Sequence, residues 1–425
     1  MAHCPPGHPV PRISMPQHTS RPSLIRSRSN AESHRVSFVE LFFDLVFVFA
    51  ITQIAHGLID HPDGGTFART LVLTMAMWWV WVYTTWSMNW LSPERSLIRV
   101  VLIAAMLIVL LMSSAIPEAF DEGQGLIFAL GYVGLQLGRA VLMAAVVRSH
   151  DASLSLSYIR TSIWFAMSAV LWILGGLAPS EERLYLWAVA ITIDLLAPLF
   201  RYWLPVLGST AKSVWVVSGE YMAERTGLFI IVVLGETIIV TGAAFGELVG
   251  TPTQVSAFLS AFASTVLMWL LYFAHDESRG RRFINASQNA AMVARSAYTW
   301  APVVLVLGLV LTAVADELVL FHPGDNIGTE DQYLPTNLLI WVASSVYLLG
   351  NLLFKRAIGR PWLASHIAGI LALTALFAAS NALSPLAMNW ASNAVLLAVI
   401  VWDYRTRSLS ESNSDDNGED SATID

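Results

Sequence analysis

The sequence predicts an all-α fold, a polytopic bundle of about twelve transmembrane helices with both termini in the cytoplasm. Composition is the first reason. Of 425 residues, 55% are apolar and only 13% charged, with a mean hydropathy of +0.59, whereas a soluble domain carries roughly 25% charged residues. A soluble globule cannot hide that much apolar surface. The second reason is the length of the apolar runs: ~20 residues cross ~30 Å of hydrocarbon at ~1.5 Å per residue. The runs are continuous rather than alternating, which excludes membrane strands. The third is the placement of positive charge, treated below.

In chain order the runs lie at 38–58, 70–90, 97–117, 125–147, 159–178, 184–204, 226–245, 255–275, 295–318, 336–354, 362–383 and 386–403. The last two are divided only by the turn at Ser384-Pro385. Residues 1–37 are rich in Pro, Ser, Arg and His without an apolar stretch, so they read as a disordered cytoplasmic tail and not as a cleavable signal. Its His3, His8, His18 and His34 are spaced too irregularly for a metal site. Residues 38–205 form a first six-helix half, 206–225 a cytoplasmic connector and 226–405 a second half. Residues 406–425, rich in Ser, Asp, Asn and Glu, read as a disordered acidic tail. Cys4 is the sole cysteine, so no intrachain disulfide forms.

If successive helices alternate in direction, the side holding both termini collects 21 of the 24 Lys and Arg. The other side keeps Arg69 and Arg183, and Arg139 is left inside a span. This asymmetry matches the positive-inside rule. A net charge of −7 with scattered cations argues against a nucleic-acid partner. The outer loops are acidic instead, with Glu118, Asp121 and Glu122 in one and Asp325, Glu330 and Asp331 in another.

Superimposing residues 38–50 on 230–242 aligns Asp44 with Glu236, each an acid in an apolar helix. Trp79 and Tyr83 follow the first as Trp269 and Tyr272 follow the second, and Gly138-Arg139 corresponds loosely to Gly350-Asn351. A six-helix period implies two parallel pseudo-repeats about an axis along the membrane normal.

Residues 39–48, Val-Glu-Leu-Phe-Phe-Asp-Leu-Val-Phe-Val, resemble the opening signature of the low temperature requirement protein A (LtrA) family. The resemblance extends to Glu224-Arg225-Thr226-Gly227-Leu228 running into Val233-Leu234-Gly235-Glu236, and to Asp316-Glu317-Leu318-Val319 followed by His322-Pro323. Thr237 and Ala315 depart from the serine and glycine of that pattern without altering a charge. The resemblance implies a multi-pass protein of the bacterial inner membrane, in a family named for a growth phenotype rather than an activity.

An ionisable group at mid-bilayer costs at least ~2.5–3.5 kcal/mol on insertion scales, so each one needs a partner or a purpose. Four such groups are Asp44, Arg139, Asp194 and Glu236. Glu40 lies one turn before Asp44, and Thr52 and His56 extend the same face into a polar stripe. Glu40 is explained equally by function and by the helix dipole with nearby Arg35. One Arg139 cannot neutralise three acids, and that surplus points to transport of a proton or cation. A buried ion pair that merely fixes packing remains the alternative.

At the outer end of the ninth span, Asp316, Glu317 and His322 form a candidate polar cluster. Their types suit a divalent cation, but adjacent acids point about 100° apart on a helix, so no metal site is assigned. His366 reads as a histidine bonded between helices in preference to a proton relay. Trp78, Trp79, Trp81, Trp86 and Trp90 crowd the second span. An aromatic cage for an organic cation competes there with an ordinary interfacial belt, the preferred account, which suits Trp86 and Trp90 near the cytoplasmic end better than Trp78. Residues 275–282 resemble the acidic-Gly-Arg-Arg loop of major facilitator transporters, an analogy of architecture.

No phosphate loop, zinc-protease motif or nucleophile elbow is present, and no cofactor is implied. The leading expectation is a proton- or cation-coupled secondary transporter or permeation protein, built around Asp44, Arg139, Asp194 and Glu236, with the bilayer and an unidentified small solute or ion as partners. The alternatives are a non-transporting scaffold or sensor, and an intramembrane enzyme acting on lipid that would recruit His56 and His366. Substrate and oligomeric state are not legible.

Overall fold

A computed structural model describes residues 24–26, 35–121, 123–211, 214–215, 217–248, 250–273, 293, 295–326 and 333–420. Among them are twelve long helices: α1 (Phe38–Asp60), α2 (Gly64–Met88), α3 (Ser96–Ser114), α4 (Gly125–Val147), α5 (Ala152–Leu177), α6 (Ser180–Leu199), α7 (Gly219–Gly246), α8 (Pro252–Phe273), α9 (Ser296–Phe321), α10 (Thr336–Ala357), α11 (Ala364–Ala378) and α12 (Pro385–Asp420). The expected motif at 275–282 and the acids Glu122, Glu330 and Asp331 lie outside the described residues.

Nine of these helices are long and apolar enough to cross a membrane. The three others each differ for a reason in the sequence. Helix α2 is diluted by Trp and Thr, α6 carries Glu181, Glu182, Arg183 and Asp194, and α11 has only 15 residues. Helix α12 continues through residues 407–420, where a disordered tail is expected, because no glycine interrupts it before Gly418. Helix α7 begins at Gly219, inside the expected connector, so Arg225 is a helical residue.

The ends are set by local chemistry. Asp63 caps α2 through the amides of Gly65 and Thr66, and Asp151 caps α5 through those of Ser153 and Leu154, each satisfying donors that have no intrahelical partner. Partial burial alone would push the Asp63 carboxyl up, but the Thr66 and Gly65 bonds and Arg69 bring it below the usual range. The Ser153 hydroxyl and the Leu154 amide hold Asp151 low. Arg183, expected in an outer loop, is buried and donates to the carbonyls of Gly175, Ala178, Ala119 and Asp121.

Helix α9 is the mast of the bundle, with 89% of its most apolar stretch buried. It opens with a π-helical turn at Ser296–Trp300, just ahead of Pro302, whose ring nitrogen donates no bond. It packs on α7, α1, α8 and most extensively on α10. The α9–α10 approach depends on two glycines: a Cβ on Gly308 would stand 2.8 Å from the Tyr347 backbone, and one on Gly350 2.7 Å from the Leu305 nitrogen. Helices α2 to α6 pack beside α1, and α8, α11 and α12 close the other flank. We call the end of the bundle where α1 begins the N-face.

Candidate functional site

The polar stripe of α1 faces α7, and the two helices run parallel, joined rung by rung. At the N-face, Glu40 accepts from the Ser37 amide (2.8 Å) and hydroxyl (2.7 Å) and from the Tyr221 hydroxyl (2.5 Å). Arg26, not the expected Arg35, is its cationic neighbour at 3.5 Å. Leu24 and Arg26 are held there by main-chain bonds to Ser92 and Trp90. One turn deeper, Arg225 Nη1 lies 2.6 Å from Asp44 Oδ2, and Trp81 Nε1 donates to Asp44 Oδ1 at 2.7 Å. Both charged residues are 0% exposed. Further along, Thr52 donates to Glu236, with His56 within electrostatic reach.

Asp44 therefore pairs with Arg225 and not with Arg139. Arg139, on α4, donates to the Val80 carbonyl, the Thr84 hydroxyl and Gln136 Oε1, and stacks over the Tyr83 ring at 5.3 Å. Gln136 donates to the Tyr132 hydroxyl (3.2 Å), which donates to Asp194 Oδ2 (2.8 Å), where Trp172 adds a bond of 3.2 Å. Arg139 is thus tied to Asp194 through two neutral intermediaries. The four residues expected around one central site occupy three separate networks.

The networks are divided by aromatic rings. Phe43 and Phe47 of α1, Trp78 and Trp81 of α2 and Phe229 of α7 form a buried wall with centroid separations from 4.3 to 6.2 Å. It lies between the Asp44–Arg225 pair and Glu236, two turns beyond Phe229 on α7. Trp78, Trp79 and Trp81 are fully enclosed, which corrects the expectation of an interfacial belt for these three, while Trp86 and Trp90 are partly buried near the N-face. The three are wedged against protein because Asp44, the Thr299 carbonyl and neighbouring rings surround them.

Asp316 and Glu317 diverge as adjacent helical residues must. Asp316 accepts from Asn389 of α12 at 2.9 Å. Glu317 turns toward α1 and lies within electrostatic reach of His56, Asp60 and Glu247. His322 is exposed beyond the end of α9. Among the described residues no hydrogen bond or ion pair joins the three, so the expected cluster is not assembled. Among the described residues no group of three His, Cys, Asp or Glu is placed to hold a metal.

A further buried network escapes the sequence reading except for His366. Lys355 of α10 lies 3.1 Å from Asp403 of α12, and His366 of α11 bonds to Asn351 at 2.9 Å and to Lys355 at 3.3 Å. His366 is thereby bonded between helices. The missed residues share a cause, since Arg225, Lys355 and Asp403 all lie near apparent span ends, where a charge needs no explanation.

Fold and sites together define a polytopic helical membrane protein whose charged groups are buried among its helices. The family profile described as "Bacterial low temperature requirement A protein (LtrA)" matches residues 35–401. The chain belongs to that family. It is also 34% identical over 380 residues to an uncharacterized protein, RA0937, of Rhizobium meliloti (strain 1021), covering 89% of this chain and 91% of that one. No solved structure matches it.

Proposed function

We propose that the protein is a proton- or cation-coupled secondary transporter of the bacterial inner membrane, with the N-face in the cytoplasm. The observation that carries this reading is the pair of buried carboxyl groups, Asp194 and Glu236, whose hydrogen-bond donors among the described residues are all neutral. A buried carboxyl without a bonded counter-charge reaches neutrality by taking a proton or a cation. Asp194 lies on α6 of the first half and Glu236 on α7 of the second, and transporters built from repeats carry their coupling groups where the repeats meet.

Toward the face opposite the N-face, His56 lies within electrostatic reach of both Glu236 and Glu317, and Glu317 within reach of Asp60 and Glu247. Arg139 stacks on Tyr83, whose ring also lines a cavity at the N-face. Two parallel pseudo-repeats are supported by recurring neighbours: α1 packs on α2 and α3 as α7 packs on α8 and α9, and α2 meets α6 as α8 meets α12. The excess of Lys and Arg on the N-face loops supports the orientation.

The test is proton flux. Full-length protein in liposomes containing a pH-sensitive dye is given a Na⁺, K⁺ or proton gradient. The expected result is a pH change beyond that of protein-free vesicles, falling to background in Glu236→Gln while the melting temperature holds. No flux above background under any gradient, or identical flux in Glu236→Gln and Asp194→Asn, overturns the reading. A packing role is the second reading, favoured by the satisfied Asp44–Arg225 pair; it predicts substitutions that alter melting and leave flux unchanged.

A further inference from the structure

A cavity opens at the N-face between α2, α5, α6, the residues Thr210, Ala211 and Trp215, and the start of α9, and none of the networks above accounts for it. Its walls are rings: Trp79, Tyr83 and Trp86 of α2, Tyr158 of α5, Tyr202, and Trp215. Trp215 contacts Trp86, Tyr158 and Tyr202 at 5.5–6.3 Å, and Trp79 contacts Tyr83 at 5.4 Å, so the rings form one continuous basket. About 100 Å³ is open to the centres of water-sized molecules, several times the ~10–15 Å³ that one water requires.

Its charge has one sign. Arg201 and Arg295 line it, and among the described residues no carboxylate does. Arg295 uses one N–H on the Pro198 carbonyl and Arg201 one on Ser209, which leaves most of the five donors of each guanidinium unspent. Among the described residues no carboxylate pairs with either. Behind the Tyr83 wall a third guanidinium, Arg139, adds to the field, and it reaches a carboxylate, Asp194, only indirectly among the described residues, through Gln136 and Tyr132.

The backbone is strained to build this site. Arg201 and Tyr202 have φ of 54° and 52°, a left-handed conformation costing roughly 1–2 kcal/mol for each non-glycine residue. It is fixed by the Tyr202 amide on the Ala197 carbonyl (2.8 Å) and by the Thr210 amide on the Arg201 carbonyl (2.9 Å). Both strained residues present their side chains to the cavity, and strain of this kind concentrates at binding sites.

We propose that this cavity binds a small aromatic carboxylate, its ring among Trp79, Trp86, Tyr158 and Trp215 and its carboxylate on Arg201 and Arg295. The rings supply apolar contact and the planar guanidiniums supply bidentate donors. Organic cations, the usual guests of aromatic cages, are repelled by the two arginines. Binding at this site stands whether or not passage across the membrane is coupled to protons.

Detergent-solubilised full-length protein, titrated with benzoate, benzamide and benzylammonium and followed by tryptophan fluorescence, provides the test. Benzoate is expected to give a saturable change that the other two do not match. Arg201→Asn, chosen because asparagine tolerates the left-handed backbone, and Arg295→Gln are each expected to weaken it about tenfold or more. Arg295→Lys, which keeps the charge, is expected to weaken it less than Arg295→Gln, with all three variants melting as the parent does. Equal or tighter binding of benzylammonium overturns the proposal. So does the lack of any saturable benzoate signal, or benzoate binding unchanged in both Arg201→Asn and Arg295→Gln. If Arg201→Asn unfolds, the comparison of Arg295→Gln with Arg295→Lys decides by itself.

Discussion

Asp44 and Arg225, 181 positions apart in the chain, meet at 2.6 Å with both side chains closed off from solvent. The contact locks α1 to α7 at one register and commits the Arg225 guanidinium to Asp44, away from Asp194 and Glu236.

Breaking that pair from one side strands a charge. Asp44→Asn and Arg225→Met are each expected to destabilise by about 3–5 kcal/mol, and the double Asp44→Leu/Arg225→Met by less than either single change. Thermal unfolding in detergent measures it. Additive losses in the double variant would mean that the two groups do not depend on one another.

Tyr132 is the middle of the Arg139-to-Asp194 chain. Tyr132→Phe keeps the ring beside Trp172 and removes the hydroxyl, leaving Gln136 and Asp194 one bond short, at an expected cost of about 1–3 kcal/mol. Under the transport reading it also lowers proton flux in liposomes more than Trp172→Phe does. Equal flux in the two variants would place the chain outside the proton path.

Gly308 and Gly350 are where α9 and α10 come closest. Alanine at either position drives a methyl into backbone and is expected to cost about 1–3 kcal/mol. Gly138→Ala, where a Cβ meets open space, serves as the control and is expected to melt within a degree or two of the parent. A melting temperature unchanged in both core variants would contradict the close approach.

Asp151 gives a pH signature at the membrane surface. Asp151→Ala is expected to cost about 1 kcal/mol at neutral pH. The carboxyl is held below its ordinary value of 3.8 by the Ser153 and Leu154 bonds, so its contribution is complete above that value. It disappears as pH falls through the lowered folded value. Melting curves of parent and variant from neutral to strongly acid pH are therefore expected to converge at the acid end; a gap constant with pH would exclude the charged cap.

Much of the architecture is legible in the sequence, because insertion into lipid is decided by runs of apolar residues that need no tertiary context. The stripe Glu40, Asp44, Thr52 and His56 is legible for the same reason, helical period being local. The partners are not. Arg225 lies where an apolar run begins, and a reading that starts the helix at 226 leaves it in a loop; only the helix start at Gly219 turns it inward. The tryptophans of α2 misled because the amphipathic ring that suits an interface also suits a core with a carbonyl or carboxylate within reach. The cavity depends on residues from four helices and a loop, and its one local signal, two consecutive left-handed residues, has no compositional mark since neither is glycine.

Helix α9 is apolar enough to enter a bilayer unaided, yet nearly all of its most apolar stretch ends up buried in protein. During biogenesis its surroundings must therefore change from acyl chains to protein, which makes its engulfment a late and decisive event in maturation. A chain truncated before α10 would leave this mast bare along the face that Gly308 prepares, an obvious mark for membrane quality-control proteases.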